Sequence, residues 1–214
     1  MFILYSLLMI LATPSLKATL AGQKAPDFQA SAVIKGKEAL LSLKDFGNKN
    51  KILIFYPADF SFICPTELIA LQENIAEFEK RNTIICAISV DTLHSHRQWL
   101  ETPVNQGGIQ GVSYPLIADD TKKISRAYGV LDEPTGTALR GVFILDGQNI
   151  IQAASIYNMG IGRSTQELLR VLDAVIFVQE NGLVCPANWH TGKKGLEATK
   201  QGLKKYLKEK DNNE

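Results

Sequence analysis

Cysteine is scarce in this 214-residue chain: Cys64, Cys86 and Cys185 are all there is. An odd count without close spacing excludes a disulfide framework. No C-x-x-C occurs, so a dithiol isomerase site and the paired-cysteine zinc patterns are excluded too. Net charge is also missing. The chain carries 23 Lys and Arg against 22 Asp and Glu, a formal charge of +1, and nothing pulls it globally toward nucleic acid or an anionic membrane. Internal repeats and low-complexity tracts are absent. What remains is 45% hydrophobic and 21% charged, the composition of an ordinary soluble domain that can bury a core without staples.

The apolar run Phe2–Ala12 falls short of the ~20 residues a spanning helix needs. It fits the apolar region of a secretory signal, yet no Lys or Arg precedes Lys17, and Leu16-Lys17-Ala18 is a poor cleavage site. Residues 1–18 therefore read either as a signal or anchor, or as an overlong start. The expected division is this extension, a folded domain over 19–180, and a C-terminal arm over 181–214. A cytoplasmic location is expected, with a secretory or organellar one left open by the apolar run.

Lys51–Pro57 is a short apolar run closed by proline, and Thr83–Val90 a second; both read as buried strands. Between them Leu68, Leu71, Ile75 and Phe78 fall at helical spacing, behind Cys64-Pro65-Thr66-Glu67. Proline in the first turn with an acid just behind it predicts a helix start at Cys64. Thr92–Glu101 reads as helix, Asn105–Gly111 as a glycine-rich loop, and Tyr114–Ala118 and Leu139–Asp146 as strands. Asp146-Gly147-Gln148-Asn149 predicts a hairpin turn into Ile150–Tyr157. Ser164 caps a helix to about Gln179, closed by Asn181-Gly182. Alternating strands and helices followed by a hairpin predict an α/β fold with a mixed sheet. Lys193–Glu214 holds seven lysines against four acids and reads as a mobile tail or weakly held helix.

A cysteine reacts as its thiolate. Cys64 stands at the positive end of a helix, which favours negative charge, and a strand elsewhere supplies the cation Arg140. Free backbone N–H groups at the helix start, together with the Ser61 hydroxyl, are placed to hold oxygen atoms. Pro57 closes the strand and shields the site. On residues alone this is a constellation, since a cysteine at a helix start is more often structural than reactive.

The segment Phe55–Glu67, FYPADFSFICPTE, resembles the active-site signature of the typical 2-Cys peroxiredoxins, with Pro57-x-x-x-Ser61-x-x-Cys64 at its core. Ala25-Pro26-Asp27-Phe28, Ser89-Val90-Asp91 with Ser95-His96 and Trp99, Arg140-Gly141-x-Phe143-x-x-Asp146, and Val184-Cys185-Pro186-Ala187-Asn188-Trp189 resemble further blocks of that family, in family order. The resemblance implies a thioredoxin-like fold and a thiol peroxidase. In it Cys64 is the peroxidatic nucleophile. Arg140 stabilises the thiolate and polarises the peroxide, Ser61 hydrogen-bonds both, and Pro57 shapes the pocket. Glu67 orients the arginines, of which Arg163 is the second near the substrate. Hydrogen peroxide or organic hydroperoxides oxidise Cys64 to the sulfenic acid. Cys185 of a partner subunit then forms an intersubunit disulfide with it, in a homodimer or a decamer of such dimers, and thioredoxin or a similar dithiol protein reduces that disulfide. No cofactor, metal or nucleic acid is implied. A holdase chaperone and a peroxide sensor are the competing functions.

Two motifs depart from the family pattern. Overoxidation-sensitive members carry Gly-Gly-Leu-Gly and a C-terminal Tyr-Phe, whereas this chain has Gly107-Gly108-Ile109-Gln110 and Tyr206-Leu207. A robust enzyme is expected. The remaining candidates read blandly. Cys86 is a small buried hydrophobe, and Trp99 and Trp189 are packing groups. His94-x-His96 does not share a helix face as a metal pair should.

Overall fold

The computed structural model describes residues 20–211, so the extension over 1–18 lies outside the described residues. A hairpin comes first: β1 (Gln29–Ile34) and β2 (Lys37–Ser42) pair antiparallel around Lys35-Gly36. β3 (Asn50–Phe55) follows, then helices α1 (Cys64–Glu73) and α2 (Ile75–Lys80), then β4 (Thr83–Ser89). Next come α3 (Leu93–Glu101), β5 (Leu116–Ala118) and the short α4 (Lys123–Ala127). A small ladder of β6 (Leu131–Asp132) with β7 (Thr137–Ala138) precedes β8 (Arg140–Leu145) and β9 (Ile151–Tyr157). The chain closes with α5 (Thr165–Asn181) and α6 (Lys200–Asp211).

The main sheet has seven strands in the order β2-β1-β5-β4-β3-β8-β9. β3, β4 and β5 run parallel, and every other pairing is antiparallel. This is the mixed α/β sheet that the alternation of elements predicts, in the thioredoxin-like form that the family resemblance implies. Side chains leave a strand on alternate faces, and β3 shows the consequence. Ile52, Ile54 and Tyr56 join Leu68, Leu71, Phe78, Trp99, Leu168 and Leu172 in one core layer. Leu53 and Phe55 face the other way and pack with Cys86, Ile88, Tyr128, Phe143 and Leu145. Both faces are covered, which is why β3 and β4 are apolar without alternation.

One expectation needs correction. The helix after Cys64 is not continuous: it breaks at Asn74, whose φ of −106° and ψ of 12° leave the helical region and whose side-chain Nδ2 donates to the Ala70 carbonyl. The apolar spacing runs unbroken across the joint and hid it. Of the two readings of the polar C-terminal segment, the helix is the one that forms, as α6. The β1–β2 hairpin had no counterpart in the sequence reading. The caps of α5 stand as predicted: Ser164 Oγ accepts from the Glu167 amide at 3.2 Å, and Gly182 ends the helix at φ 63°. The paired glycines of the loop after α3 are required twice over. Gly107 closes a turn at φ 81°, and a Cβ on Gly108 would collide with the Thr102 backbone.

Candidate active site

Cys64 is the first residue of α1, with Pro65 in the first turn, and it is fully buried. Pro has no N–H to lose there, and its fixed φ suits a helix start. The sulfur faces the first residue of β8: Arg140 Nη1 donates to Cys64 Sγ at 3.2 Å. The same Nη1 lies 2.7 Å from Glu67 Oε2, three residues along α1 from the cysteine. Arg140 Nε donates to the Met159 carbonyl at 2.7 Å, which fixes the plane of the guanidinium. Sulfur, guanidinium and carboxylate thus form one buried chain, in which a donor cation favours negative charge on sulfur.

Glu67 holds a second arginine. Arg163 approaches from the loop before α5 and donates Nε to Oε1 at 2.8 Å and Nη2 to Oε2 at 2.9 Å. Its backbone N–H adds a third bond to Oε1 at 2.8 Å. Arg163 Nη1 donates to the carbonyls of Phe55 and Gly141, at 2.7 and 2.9 Å. These two strands are neighbours in the sheet, so Arg163 sews β3 and β8 to α1. Glu67 and both arginine side chains are at most 4% exposed. Two buried cations on one anion leave a net positive centre beside Cys64.

The loop from Pro57 to Ile63 is clamped from the other side. Asp59 accepts the Tyr56 and Ser95 hydroxyls, each at 2.8 Å, and lies 2.8 Å from His96 Nδ1. Its backbone N–H donates to Asp91 at 2.9 Å. The buried His96 is therefore part of a structural cluster, while His94 is exposed. No group of three or more His, Cys, Asp or Glu able to hold a metal occurs among the described residues. Asp59 is the site residue that sequence reasoning missed, although it sits inside the quoted signature.

Other predicted residues fall as follows. Ser61 Oγ donates to the Ala58 carbonyl at 2.9 Å, within its own loop. Pro57 is half-buried two residues after the end of β3, and Phe62 beyond it stands fully exposed. Cys86 is buried in β4, and burial pushes its thiol far above the ordinary range. Cys185 lies far along the chain in the segment after α5, half-buried against the Ala174 carbonyl at 3.8 Å. Burial raises its pKa, against the opposing pull of the Arg170 charge.

A buried cysteine at a helix start, an arginine on its sulfur and a carboxylate bridging two arginines make a candidate thiol-based redox site on a thioredoxin-like sheet. Comparison with known proteins places the chain within that class. The AhpC/TSA family matches residues 21–154, and the C-terminal domain of 1-Cys peroxiredoxin matches residues 174–209. A chloroplastic 2-Cys peroxiredoxin of Hordeum vulgare is 46% identical over 88% of this chain and 90% of its own length. Alkyl hydroperoxide reductase C of Helicobacter pylori is 43% identical over 86% of this chain and 94% of its own. Among solved structures, reduced Plasmodium vivax 2-Cys peroxiredoxin superposes with a TM-score of 0.86 at 38% identity, covering 89% of this chain and 99% of that one. The chain belongs to the AhpC/TSA family of peroxiredoxins, and it is a peroxide-reducing oxidoreductase of that family.

Proposed function

We propose that Cys64 attacks the terminal oxygen of a hydroperoxide, and that Cys185 of a partner subunit resolves the product. The observation that carries this reading is the 3.2 Å contact between Arg140 Nη1 and Cys64 Sγ, braced by Glu67. The thiolate forms an S–O bond as the O–O bond breaks, and the leaving alkoxide or hydroxide takes up a proton to depart as alcohol or water. Arg140 and the free N–H groups at the start of α1 stabilise the oxygen charge that develops. The Ser61 hydroxyl turns from the Ala58 carbonyl, where it rests, to hold the peroxide and thiolate from the loop side, and Pro57 shapes the entrance. Arg163 acts through Glu67, because its donors are already committed to Glu67 and two carbonyls. The sulfenic acid then condenses with Cys185 of the neighbouring chain in a homodimer, and thioredoxin or a similar dithiol protein reduces the disulfide. The body over 19–180 carries the peroxidatic half and the arm over 181–214 the resolving half. A reducing compartment, the cytoplasm, suits this cycle. Neither cofactor nor metal takes part.

Both cysteines must leave their packed positions to meet, so α1 and the Cys185 segment each unwind locally. The test is non-reducing electrophoresis after one equivalent of hydrogen peroxide. Wild type is expected to run as a covalent dimer that thioredoxin and its reductase return to monomer. Cys185→Ser is expected to consume one equivalent, remain monomeric and stall. A variant that still forms the dimer would transfer the resolving role away from Cys185.

The raised Cys185 pKa has a kinetic sign. Since the thiolate attacks, a pKa above the ordinary thiol value leaves less attacking species at neutral pH. The rate of disulfide formation after a single peroxide pulse is expected to climb with pH through neutrality and to level off only above the ordinary thiol range. Stopped-flow fluorescence across pH 6 to 10 reads this directly, and a profile flat above about 8.5, the free thiol value, counts against it.

A further inference from the structure

Cys185 is held by one stripe of α5. Arg170, Asp173, Ala174 and Phe177 fall at i, i+3, i+4 and i+7, so they share a helix face. Each grips the segment that carries the cysteine. Arg170 Nη1 donates to the Trp189 carbonyl at 2.9 Å, while its other nitrogens fork onto Glu167 at 2.7 Å each. Asp173 Oδ2 accepts the Thr191 hydroxyl at 2.7 Å. The Ala174 carbonyl faces Cys185 Sγ. The Phe177 ring lies 4.8 Å from that of Trp189, which is only 3% exposed and donates to the Lys193 carbonyl at 2.9 Å.

Asp173 ties this face to the rest of the body. Arg81, at the end of α2, donates Nε and Nη2 to its carboxylate at 2.5 and 3.1 Å and also grips Glu77. The segment is thus bolted through two charged residues to α5 and, through Arg81, to the helices that follow Cys64. None of these contacts touches the Cys64 site. All of them near Cys185 must yield before its thiol reaches a sulfenic acid on another chain.

We propose that Arg170 and Asp173 are positioning residues for the resolving step: they latch the Trp189–Thr191 segment to α5, and the release of that latch sets how fast Cys185 is delivered. The step gated is the attack of the Cys185 thiolate on the Cys64 sulfenic sulfur. An S–S bond forms, the S–O bond breaks, and hydroxide leaves to take up a proton as water. A tight latch lengthens the life of the sulfenic acid and gives a second peroxide more chance to make the sulfinic acid. This rests on the two-cysteine reading above.

The test is quench-flow of the reduced full-length chain against rising hydrogen peroxide, with intact mass separating disulfide from sulfinic product. Thr191→Val removes one latch bond without changing charge, and Arg170→Met removes the other while keeping an apolar stem. Each is expected to speed disulfide formation about three- to tenfold, the factor one lost hydrogen bond carries, and to raise the peroxide needed for half overoxidation by the same factor. The rate of Cys64 oxidation is expected to stay unchanged, and Thr191→Ser to restore the wild-type partition. A merely structural role would slow resolution instead, and that result, or an unchanged partition in both variants, overturns the latch. Failure of wild type to form any Cys64–Cys185 disulfide is a different outcome and removes the reading beneath it.

Discussion

Cys64→Ser is expected to abolish peroxide turnover, a fall of at least about 10⁴-fold in kcat/KM, with the fold intact. A serine hydroxyl stays protonated at neutral pH and cannot pass through a sulfenic acid, so neither the attack nor the resolving step has a substitute. The fold should survive because the replacement is nearly isosteric and Arg140 still meets a hydrogen-bond acceptor where the sulfur stood, 3.2 Å from Nη1. Cys86→Ala is the matching control. That thiol sits in the core beside Leu53, its partner across the β3–β4 ladder, and burial pushes its pKa so high that it holds no thiolate at working pH. Its removal is expected to leave turnover unchanged and cost about 1 kcal/mol of stability, the scale of a small buried truncation. NADPH oxidation coupled through thioredoxin and its reductase measures both variants. Full activity in Cys64→Ser would end the assignment of Cys64, and loss of activity in Cys86→Ala would require a chemical role for a thiol the structure keeps from water.

How much of this was legible in the chain depends on how far apart the partners lie. The central strands were plain because β3 and β4 are apolar on both faces, and α5 because Ser164 and Gly182 bracket it. The β1–β2 hairpin was not, because its turn is Lys35-Gly36, with φ of 49° and 76°, where Asn-Gly is the familiar signal. Lysine in that backbone region is costly, and the pairing of six residues on each strand outweighs it. In the site, Cys64, Pro65 and Glu67 are neighbours on one helix start and could be read locally. Arg140 and Arg163 lie 73 and 96 residues from Glu67, and no periodicity connects them. Arg140 could be named only as a cation available on a distant strand, and the likeness of whole blocks assigned both arginines to the site. Asp59 was passed over because nothing in its neighbourhood shows that Tyr56, Ser95 and His96 converge on it. The α5 stripe that grips Cys185 reads from sequence as an ordinary amphipathic face.

Glu67→Gln is expected to be the most damaging substitution outside the cysteines, in both stability and rate. The carboxylate accepts from Arg140 and from the Nε, Nη2 and backbone N–H of Arg163, all from within the protein interior. A glutamine of the same size offers one acceptor and turns an NH₂ group toward a guanidinium that has only donors. Two buried cations then lose their common counter-charge, which costs about 3–5 kcal/mol when one partner of a buried pair is removed. The kinetic loss follows from the same geometry. Arg140 divides Nη1 between Glu67 and Cys64, so without the brace the donor no longer stands where charge develops on sulfur and peroxide oxygen. Misplacing one such preorganised donor costs about 10²–10³-fold in rate. Urea unfolding and the second-order rate of Cys64 oxidation by hydrogen peroxide are the two readouts, and they separate two meanings of Glu67. Arg163→Met leaves Arg140 and its carboxylate in contact, so it is expected to share the stability loss but only part of the rate loss. If Arg163→Met proves as slow as Glu67→Gln, both arginines act on the peroxide itself, and Arg163 moves from positioning residue to catalytic one.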